Sequence, residues 1–227
     1  MRGRIRDLPL IGPALQGVWR AWVRPAPPFP GSSDYWRLRY ERGGNSGAGS
    51  YNRLAAFKAD FLNGPVSEKS IKTVIEFGCG DGSQLQLVAY PRYLGFDVSA
   101  KAVAVCKDRF GDDESKSFKL MSAFNGETAE LTLSLDVIYH LVEDDVFNDY
   151  MQRLFDSSER MVVIYSSNTD DNREDAAAHV RHRLFSRWID ENRPSWRLKS
   201  YIPNRYPFDP KDAHNTSFAD FYIFEAS

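Results

Sequence analysis

The sequence predicts an α/β fold, in which a doubly wound, mostly parallel sheet of seven strands follows a pair of N-terminal helices. Apolar runs alternate with amphipathic stretches from Lys72 onward, and this alternation is typical of parallel strands covered by helices on both faces. A glycine-rich turn, VIEFGCGDGS, follows the first apolar run and opens an amphipathic stretch. The last two runs, WRLKSYI and FADFYIFEA, have no helical stretch between them. They therefore predict a closing hairpin whose last strand is antiparallel.

The length and composition of the chain are those of a globular protein with one sizeable core. The chain has 227 residues, of which 42% are hydrophobic and 26% are charged. A formal net charge of −2 gives no general attraction to nucleic acid, so we expect no nucleic-acid partner. The two cysteines, Cys79 and Cys106, are too few for a disulfide framework or a zinc cluster. We therefore expect a cytoplasmic location and no metal centre.

Three regions are predicted along the chain: a tail and spacer over residues 1–30, a helical cap over residues 31–65 and the main domain over residues 66–227. The tail has a basic start and an apolar middle that Pro9 and Pro13 interrupt; it has no cleavage site and is too short to span a bilayer. It ends in the stiff spacer PAPPFP. One interpretation is a tail packed on the domain or left disordered; the other is a peripheral contact with a partner protein or with the inner face of an anionic membrane.

Two helices are predicted in the cap. Aromatic and aliphatic residues at helical spacing in SSDYWRLRYERGG predict the first helix, which Gly43 and Gly44 end. Ser50 is expected to cap the second helix, and the motif Asn63-Gly64-Pro65 is expected to end it.

The main domain is predicted from seven apolar runs and the stretches between them. Strands are predicted at KTVIEFG, YLGFDV, SFKLM, LTLSLDVIY, RMVVIYS, WRLKSYI and FADFYIFEA. Helices are predicted at Ser83–Tyr90, Ala100–Phe110, Glu143–Asp156 and Asp175–Asn192. The third of these helices is well marked, because acidic residues fill its first turn and apolar residues then recur at helical spacing.

The turn after the first strand has the features of a nucleoside-binding loop. Gly78, Gly80 and Gly82 let the backbone turn tightly and approach a ligand, because they carry no side chain. Asp97 follows at the end of the next strand, where an acidic residue meets ribose hydroxyls in this architecture. Dinucleotide enzymes have a glycine where this chain has Ser83. Ser83 therefore argues against the alternative of an NAD(P)-dependent oxidoreductase.

The spacing G-x-G-x-G, with Glu76 two residues before the first glycine, resembles motif I of the class I S-adenosylmethionine-dependent methyltransferases. Asp97 resembles their ribose-binding acid, LTLSLDVIYHLVEDD their fourth-strand motif, and the closing hairpin that of their Rossmann-like fold. The chain looks similar to bacterial members of the small-molecule and glycan type. The resemblance implies methyl transfer from S-adenosylmethionine to a small-molecule or sugar acceptor by direct displacement. A non-catalytic module that binds this cofactor and regulates a partner is a further alternative.

The resemblance also implies contacts to the cofactor, residue by residue. The three glycines should face its methionine and ribose parts, Glu76 should organise the loop around the amino group, and Asp97 should take both ribose hydroxyls. Val98 is expected against the adenine and Asp136 beside the methionine. The segment LMSAF departs from the family, which has an acidic residue there that accepts from the adenine amino group. The adenine contacts expected instead come from Ser122, Ala123 and Phe124.

His140 and Tyr139 are the predicted catalytic residues. His140 lies in the loop of the fourth strand, beside Tyr139, where the resemblance places the transferred methyl group. A histidine titrates near neutral pH and suits a general base toward a hydroxyl. The alternatives are a hydrogen-bond donor to the acceptor and a residue that supports the helix. This segment does not carry the motif N/D-P-P-Y of many amine methyltransferases, which favours an oxygen atom as the acceptor.

The segment after the fifth strand is expected to form the acceptor pocket. His179 and His182 are predicted one helical turn apart, with Arg181 between them. We interpret these residues as a basic wall for a phosphorylated or nucleotide-linked sugar. The alternatives are a solvated helix face and a metal site, for which no matching ligand spacing is present.

A second glycine-rich segment, GGNSGAGS, connects the two cap helices. It has no strand before it and no Lys-Ser or Lys-Thr after it, so it does not match a phosphate-binding loop. Two interpretations remain open. The segment is either a lid over the cofactor or acceptor, with Tyr51 and Arg53 nearby, or a plain linker.

Overall fold

A seven-stranded sheet forms the framework of the computed structural model, which describes residues 28–172 and 177–227. The strands are β1 (Thr73–Phe77), β2 (Arg92–Asp97), β3 (Lys116–Leu120), β4 (Ala129–Leu135), β5 (Ser158–Ser166), β6 (Trp196–Ile202) and β7 (Asp220–Ala226). Their order in the sheet is β3-β2-β1-β4-β5-β7-β6. The first five strands pair in parallel, and β7 runs antiparallel to both β5 and β6. The predicted sheet with its antiparallel last strand is confirmed.

Helices cover both faces of this sheet. They are α1 (Ser32–Glu41), α2 (Asn52–Glu68), α3 (Ala100–Arg109), α4 (Asp144–Asp156) and α5 (Phe185–Asn192). Successive strand residues point to opposite faces and enter two separate buried clusters. Leu62 of α2 and Cys106 of α3 join the first cluster, and Met151 of α4 and Ile189 of α5 join the second. The sheet is therefore doubly wound, as predicted.

The carboxyl ends of β1, β2 and β4 meet at one edge of the sheet. Phe77 lies beside Phe96 in the β1–β2 register, and Glu76 lies beside Leu133 in the β1–β4 register. The strand order reverses between β1 and β4. Ligands of open parallel sheets bind at such a reversal, outside the carboxyl ends of the strands. The register therefore brings together the glycine turn and the residues that follow β2 and β4.

The helix predicted at Asp175–Asn192 is confirmed in its second half and wrong over residues 177–184. Residues 175–176 lie outside the described part, residues 177–184 are irregular, and only α5 is helical. In the irregular part, side chains accept hydrogen bonds from backbone N–H groups. The N–H of His182 donates to Asn172 Oδ1, and the N–H of Leu184 donates to Asp170 Oδ1. These polar side chains offer the backbone an alternative to helical hydrogen bonds.

Two smaller differences also have tertiary causes. The segment Ser83–Tyr90 contains only a 3₁₀ turn, because the Gln84 amide is tied to the backbone of α2 and the Tyr90 ring packs elsewhere in the core. Helix α2 begins at Asn52, without a cap from Ser50, and continues through Pro65 to Glu68. Buried side chains on both sides of the proline offset the backbone hydrogen bond that it cannot donate.

Residues 31–227 form one compact unit. The two interpretations of the N-terminal tail concern residues 1–27, which lie outside the described part of the chain. Among the described helices, none combines the length and the apolar character that crossing a bilayer requires.

Candidate functional site

A cavity of about 240 Å³ lies at the carboxyl ends of β1, β2 and β4. The glycine turn and the strand ends form its floor, α4 forms one wall, and the cap forms another. Its lining includes Gly78, Gly80, Glu76, Asp97, Val98, Asp136 and His140 from the sheet edge, and Trp36, Tyr40, Ser46, Ser50 and Lys58 from the cap.

The cap is fastened beside this cavity by Ser32 at the start of α1. Its backbone N–H and its hydroxyl donate to the two carboxylate oxygens of Glu143, at 2.9 and 2.5 Å. The Ser32 hydroxyl oxygen also accepts from the N–H of Val142. Glu143 directly precedes α4, so these bonds join α1 to the helix on the other side of the cavity.

The first two glycines of the turn lie at the cavity and the third does not. Gly78 and Gly80 have φ angles of +88° and +57°, a region that L side chains rarely adopt, and a side chain on Gly80 would overlap Ser46 of the cap. Gly82 has a φ of +73°, but a Cβ there would lie 2.8 Å from the Phe110 ring. The third glycine therefore allows close packing at the end of α3.

Asp97 is held at the edge of the cavity by backbone groups. Oδ2 accepts from the N–H of Gly80 at 3.0 Å, and Oδ1 accepts from the N–H of Ser99 at 2.8 Å. Burial raises the pKa of Asp97 to about 6, although these two hydrogen bonds oppose the rise. Each carboxylate oxygen keeps a further lone pair, so Asp97 can accept from two hydroxyls of a ligand.

Glu76 lies on the floor of the cavity and is 5% exposed. Its Oε2 accepts from the Tyr93 hydroxyl at 2.6 Å. Burial raises the pKa of Glu76 to about 7, and the bond from Tyr93 opposes this rise. A cationic ligand group in the cavity would favour the ionised form of this carboxyl.

Asp136 follows β4 with a φ of +60° and lines the cavity. Its Oδ2 pairs with Lys58 Nζ at 2.6 Å, and its Oδ1 accepts from the Tyr139 hydroxyl at 2.8 Å. The Lys58 side chain is 1% exposed, and its ammonium lies 5.2 Å from the centre of the Tyr165 ring. Sequence reasoning missed Lys58. The available signal was its position four residues after Leu54, on the apolar face of α2.

His140 lines the cavity with one ring nitrogen already bound. Nδ1 lies 2.9 Å from the carbonyl oxygen of His179, and because a carbonyl can only accept, Nδ1 carries the hydrogen. Nε2 therefore keeps a free lone pair. Trp36 packs edge-on against the ring at 4.8 Å. Burial lowers the pKa of His140 to about 4, so the imidazole is neutral at physiological pH.

Four other predicted residues lie outside the described lining of this cavity. The Tyr139 hydroxyl is directed to Asp136. Ser122 and Ala123 are exposed in a 3₁₀ turn, of which Met121 is the member that lines the cavity. Phe124 packs at 5.6 and 5.5 Å on two core rings, those of Phe77 and Phe96.

The predicted acceptor residues do not form a basic wall. Arg181 pairs with Asp144 at 2.9 Å and donates to the carbonyl of Val142. His182 Nδ1 bonds the Ser167 hydroxyl, and the His179 ring stacks behind that of His140. These residues lie on irregular backbone, so the helical spacing predicted for the two histidines is wrong. The nearby guanidinium groups of Arg183 and Arg187 are likewise paired, with Asp144 and Asp170.

The loop between α1 and α2 forms part of the cavity wall. Ser46 and Ser50 line the cavity, and Ser46 Oγ accepts from the N–H of Asp81 at 3.1 Å in the glycine turn. A Cβ on Gly49 would lie 2.6 Å from Asp136 Oδ2. The loop is therefore packed against both the turn and the end of β4.

Tyr51 and Arg53 follow this loop and lie outside the described lining of the cavity. The Tyr51 hydroxyl donates to Asp81 Oδ2 at 2.5 Å. Arg53 pairs with Asp212 at 3.1 Å, and its guanidinium lies 4.5 Å from the centre of the Tyr206 ring. Both side chains thus support loops around the site.

Comparison with known protein families finds one domain match. Residues 75–163, from β1 into β5, match the profile of the family described as "Methyltransferase domain". No curated protein sequence is detectably similar to the chain.

Several solved structures share the fold. The magnesium protoporphyrin IX methyltransferase ChlM from Synechocystis PCC 6803, solved with S-adenosylhomocysteine, is 14% identical with a TM-score of 0.61, over 86% of this chain and 98% of that one. The N-methyltransferase NodS from Bradyrhizobium japonicum WM9 was also solved with S-adenosylhomocysteine. It is 14% identical with a TM-score of 0.62, and the match covers 84% of this chain and 98% of NodS. The small RNA methyltransferase HEN1 is 15% identical with a TM-score of 0.59, over 78% of this chain and 26% of that one. At these identities the likeness shows the fold alone.

Proposed function

We propose that this chain, in which residues 75–163 match a methyltransferase domain, is an enzyme that methylates a hydroxyl of a small molecule or glycan. S-adenosylmethionine is the cofactor and supplies an electrophilic methyl group on its sulfonium. The domain match and the sheet order oppose the alternative of an NAD(P)-dependent oxidoreductase.

The cavity suits a positively charged cofactor. Four carboxylates line it, those of Glu76, Asp97, Asp136 and Asp149, whereas the charged cations of its described lining are Lys58 and Arg153. We propose that Asp97 accepts from the ribose hydroxyls with its remaining lone pairs and that Gly78 and Gly80 let the backbone approach the ligand. Val98, which lines the same cavity, is proposed to pack on the adenine.

The proposal that the methylated atom of the acceptor is an oxygen rests on His140, whose Nε2 keeps its lone pair in the wall of this cavity. A hydroxyl becomes strongly acidic as its oxygen forms a bond to the methyl carbon, so even a weakly basic imidazole can take the proton. His140 is proposed to accept it at Nε2, and Tyr139 to hold Asp136 in place.

Charge around the site supports an acceptor other than nucleic acid. The neighbouring fold of HEN1 belongs to an RNA methyltransferase and that of NodS to an N-methyltransferase, so the fold leaves the acceptor open. Arg181 and Arg183 share the carboxylate of Asp144, which reduces the basic surface available to a phosphate backbone.

A panel of matched acceptors tests this proposal. Pairs of sugars and nucleotide sugars that differ only in a hydroxyl or an amine at one carbon are incubated with S-adenosylmethionine, and the released S-adenosylhomocysteine is measured. We expect turnover of hydroxyl members, and His140→Ala should lower it at least tenfold while calorimetry shows unchanged affinity for S-adenosylhomocysteine. Turnover of amines alone would refute the oxygen assignment. Loss of cofactor binding in His140→Ala would make the residue structural.

Asp97→Ala tests the cofactor site independently of the acceptor. We expect a loss of affinity for S-adenosylhomocysteine of about tenfold or more, because two charge-assisted hydrogen bonds are removed. Unchanged affinity would refute the ribose assignment.

A further inference from the structure

Lys58 and Asp136 form a buried ion pair in the wall of the cavity, and the proposed transfer reaction does not use it. The two charged atoms lie 2.6 Å apart, and the exposed fractions of the side chains are 1% and 12%. Withdrawing such a pair from water is costly, and pairs of this kind often add little stability. Both residues line the cavity, so a role in ligand binding explains their position better than a role in stability.

Gln84 supplies a second, independent observation at the same cavity. Its Nε2 donates to the backbone oxygen of Ala55 at 3.1 Å, which fixes the orientation of the amide, because a carbonyl can only accept. Its Oε1 is buried and has no hydrogen-bond partner among residues 28–172 and 177–227. A buried acceptor without a donor is costly, and it points to a ligand group that donates. Ala55 and Lys58 lie one turn apart on α2, so the same helix holds Gln84 and the ion pair.

We propose that Lys58, Asp136 and Gln84 bind the zwitterionic aminocarboxyl end of the cofactor. Lys58 pairs with the carboxylate, and Asp136 and Gln84 Oε1 accept hydrogen bonds from the ammonium. Without a ligand, Lys58 and Asp136 neutralise each other; with it, opposite charges alternate along the group. The inference rests on the cofactor site proposed above.

The positions of the two cations in the cavity lining favour Lys58, not Arg153, as the partner of the cofactor's carboxylate. Of the two charged cations in the described lining of the cavity, Arg153 lies on α4 beside the Phe124 ring, at the side where the adenine is expected. Lys58 is paired with Asp136 at the end of β4, and both residues line the cavity with Gly78 and Gly80. Its charge lowers the pKa of Glu76 against the effect of burial, so the ammonium also acts on the floor of the cavity.

Three ligands separate the two halves of the zwitterion. They are S-adenosylhomocysteine, the analogue without its carboxylate and the analogue without its amino group, and their affinities are measured by calorimetry. Lys58→Met should weaken the two ligands that carry a carboxylate about tenfold or more, and leave the decarboxylated analogue within about twofold. Gln84→Leu should do the converse: it should weaken the two ligands that carry an amino group and spare the deaminated one.

Arg153→Met is the matched control, because it removes the other cation of the cavity, and it should leave the ratio between S-adenosylhomocysteine and its decarboxylated analogue unchanged. Equal weakening of all three ligands by Lys58→Met, or no weakening, would overturn the inference. If Lys58→Met fails to fold, Lys58→Met/Asp136→Asn removes both charges together and should weaken S-adenosylhomocysteine more than either analogue, because each analogue loses only one of the two contacts; equal affinity changes for all three ligands would overturn the inference. Absence of binding by the wild-type protein would instead refute the proposed cofactor site.

Discussion

Glu76→Gln should stabilise the protein in the absence of cofactor, and the gain should be largest at neutral and alkaline pH. The pKa of Glu76 is about 7 in the fold, against an ordinary value of 4.5, because the carboxyl is buried. Each pH unit corresponds to about 1.4 kcal/mol, so ionising the buried carboxylate costs the folded state about 3 kcal/mol above pH 7.

The pH dependence follows from the direction of this change. Because the pKa is raised in the fold, the folded state binds a proton that the unfolded state releases between about pH 4.5 and pH 7. The unfolding free energy of the wild type therefore loses this contribution as the pH rises through that interval. Glutamine does not titrate and can still accept from the Tyr93 hydroxyl through its amide oxygen. The advantage of Glu76→Gln should grow over the same interval and level off above it.

Urea denaturation of both proteins at pH 5 and pH 8, without cofactor, measures the difference. We expect a gain of about 2.5 kcal/mol at pH 8 relative to the difference at pH 5, where part of the titration has already occurred. Glu41→Gln, at an exposed glutamate of α1, is the matched control and should show no such change. An equal effect of Glu76→Gln at the two pH values would refute the reasoning.

Three further predictions concern binding and turnover. Affinity for S-adenosylhomocysteine should fall as the pH drops through about 6, because a protonated Asp97 accepts fewer hydrogen bonds; calorimetry between pH 5 and pH 8 checks this, and a flat profile contradicts it. Turnover at saturating cofactor should stay level from pH 8 to about pH 5.5, because the pKa of His140 is about 4; half of the activity lost near pH 6.5 would show an ordinary histidine. Gly49→Ala should lower cofactor affinity or turnover several-fold, because its Cβ would lie 2.6 Å from Asp136 Oδ2, whereas Gly64→Ala, at a helical glycine with room for a methyl group, should change neither. If Gly49→Ala behaves like its control, the loop is a plain linker.

The sheet and the position of the cavity could be predicted because both depend on local patterns and on a general rule of chain topology. Buried parallel strands are continuous apolar runs, and strand ends that follow one another in the fold meet at one edge. Asp97 and the turn at Gly78 and Gly80 could thus be brought together from sequence positions alone. The φ angles of these glycines agree with the close approach expected of them.

The remaining contacts depend on side chains from distant segments, which no local pattern reveals. Lys58 reaches the end of β4 across 78 positions in the chain, and its helical spacing gave only a weak signal. Asn172 and Asp170 hold the segment of His182 out of a helix, although its composition favours one. Gly82 looks like the first two glycines of the turn, yet it faces the Phe110 ring. Such roles are settled by packing between elements.

The cap residues in the cavity wall determine which piece of the chain can be exchanged between related enzymes. A fragment that starts at residue 66 keeps all seven strands but loses Trp36, Ser46 and Lys58. The cavity then lacks the wall that the cap provides and is open to solvent on that side. A chimera that joins this sheet to a foreign cap would leave Asp136 beside a surface that did not evolve with it. A transplant that is meant to preserve the cavity should therefore include the cap and the sheet together, as in the compact unit of residues 31–227.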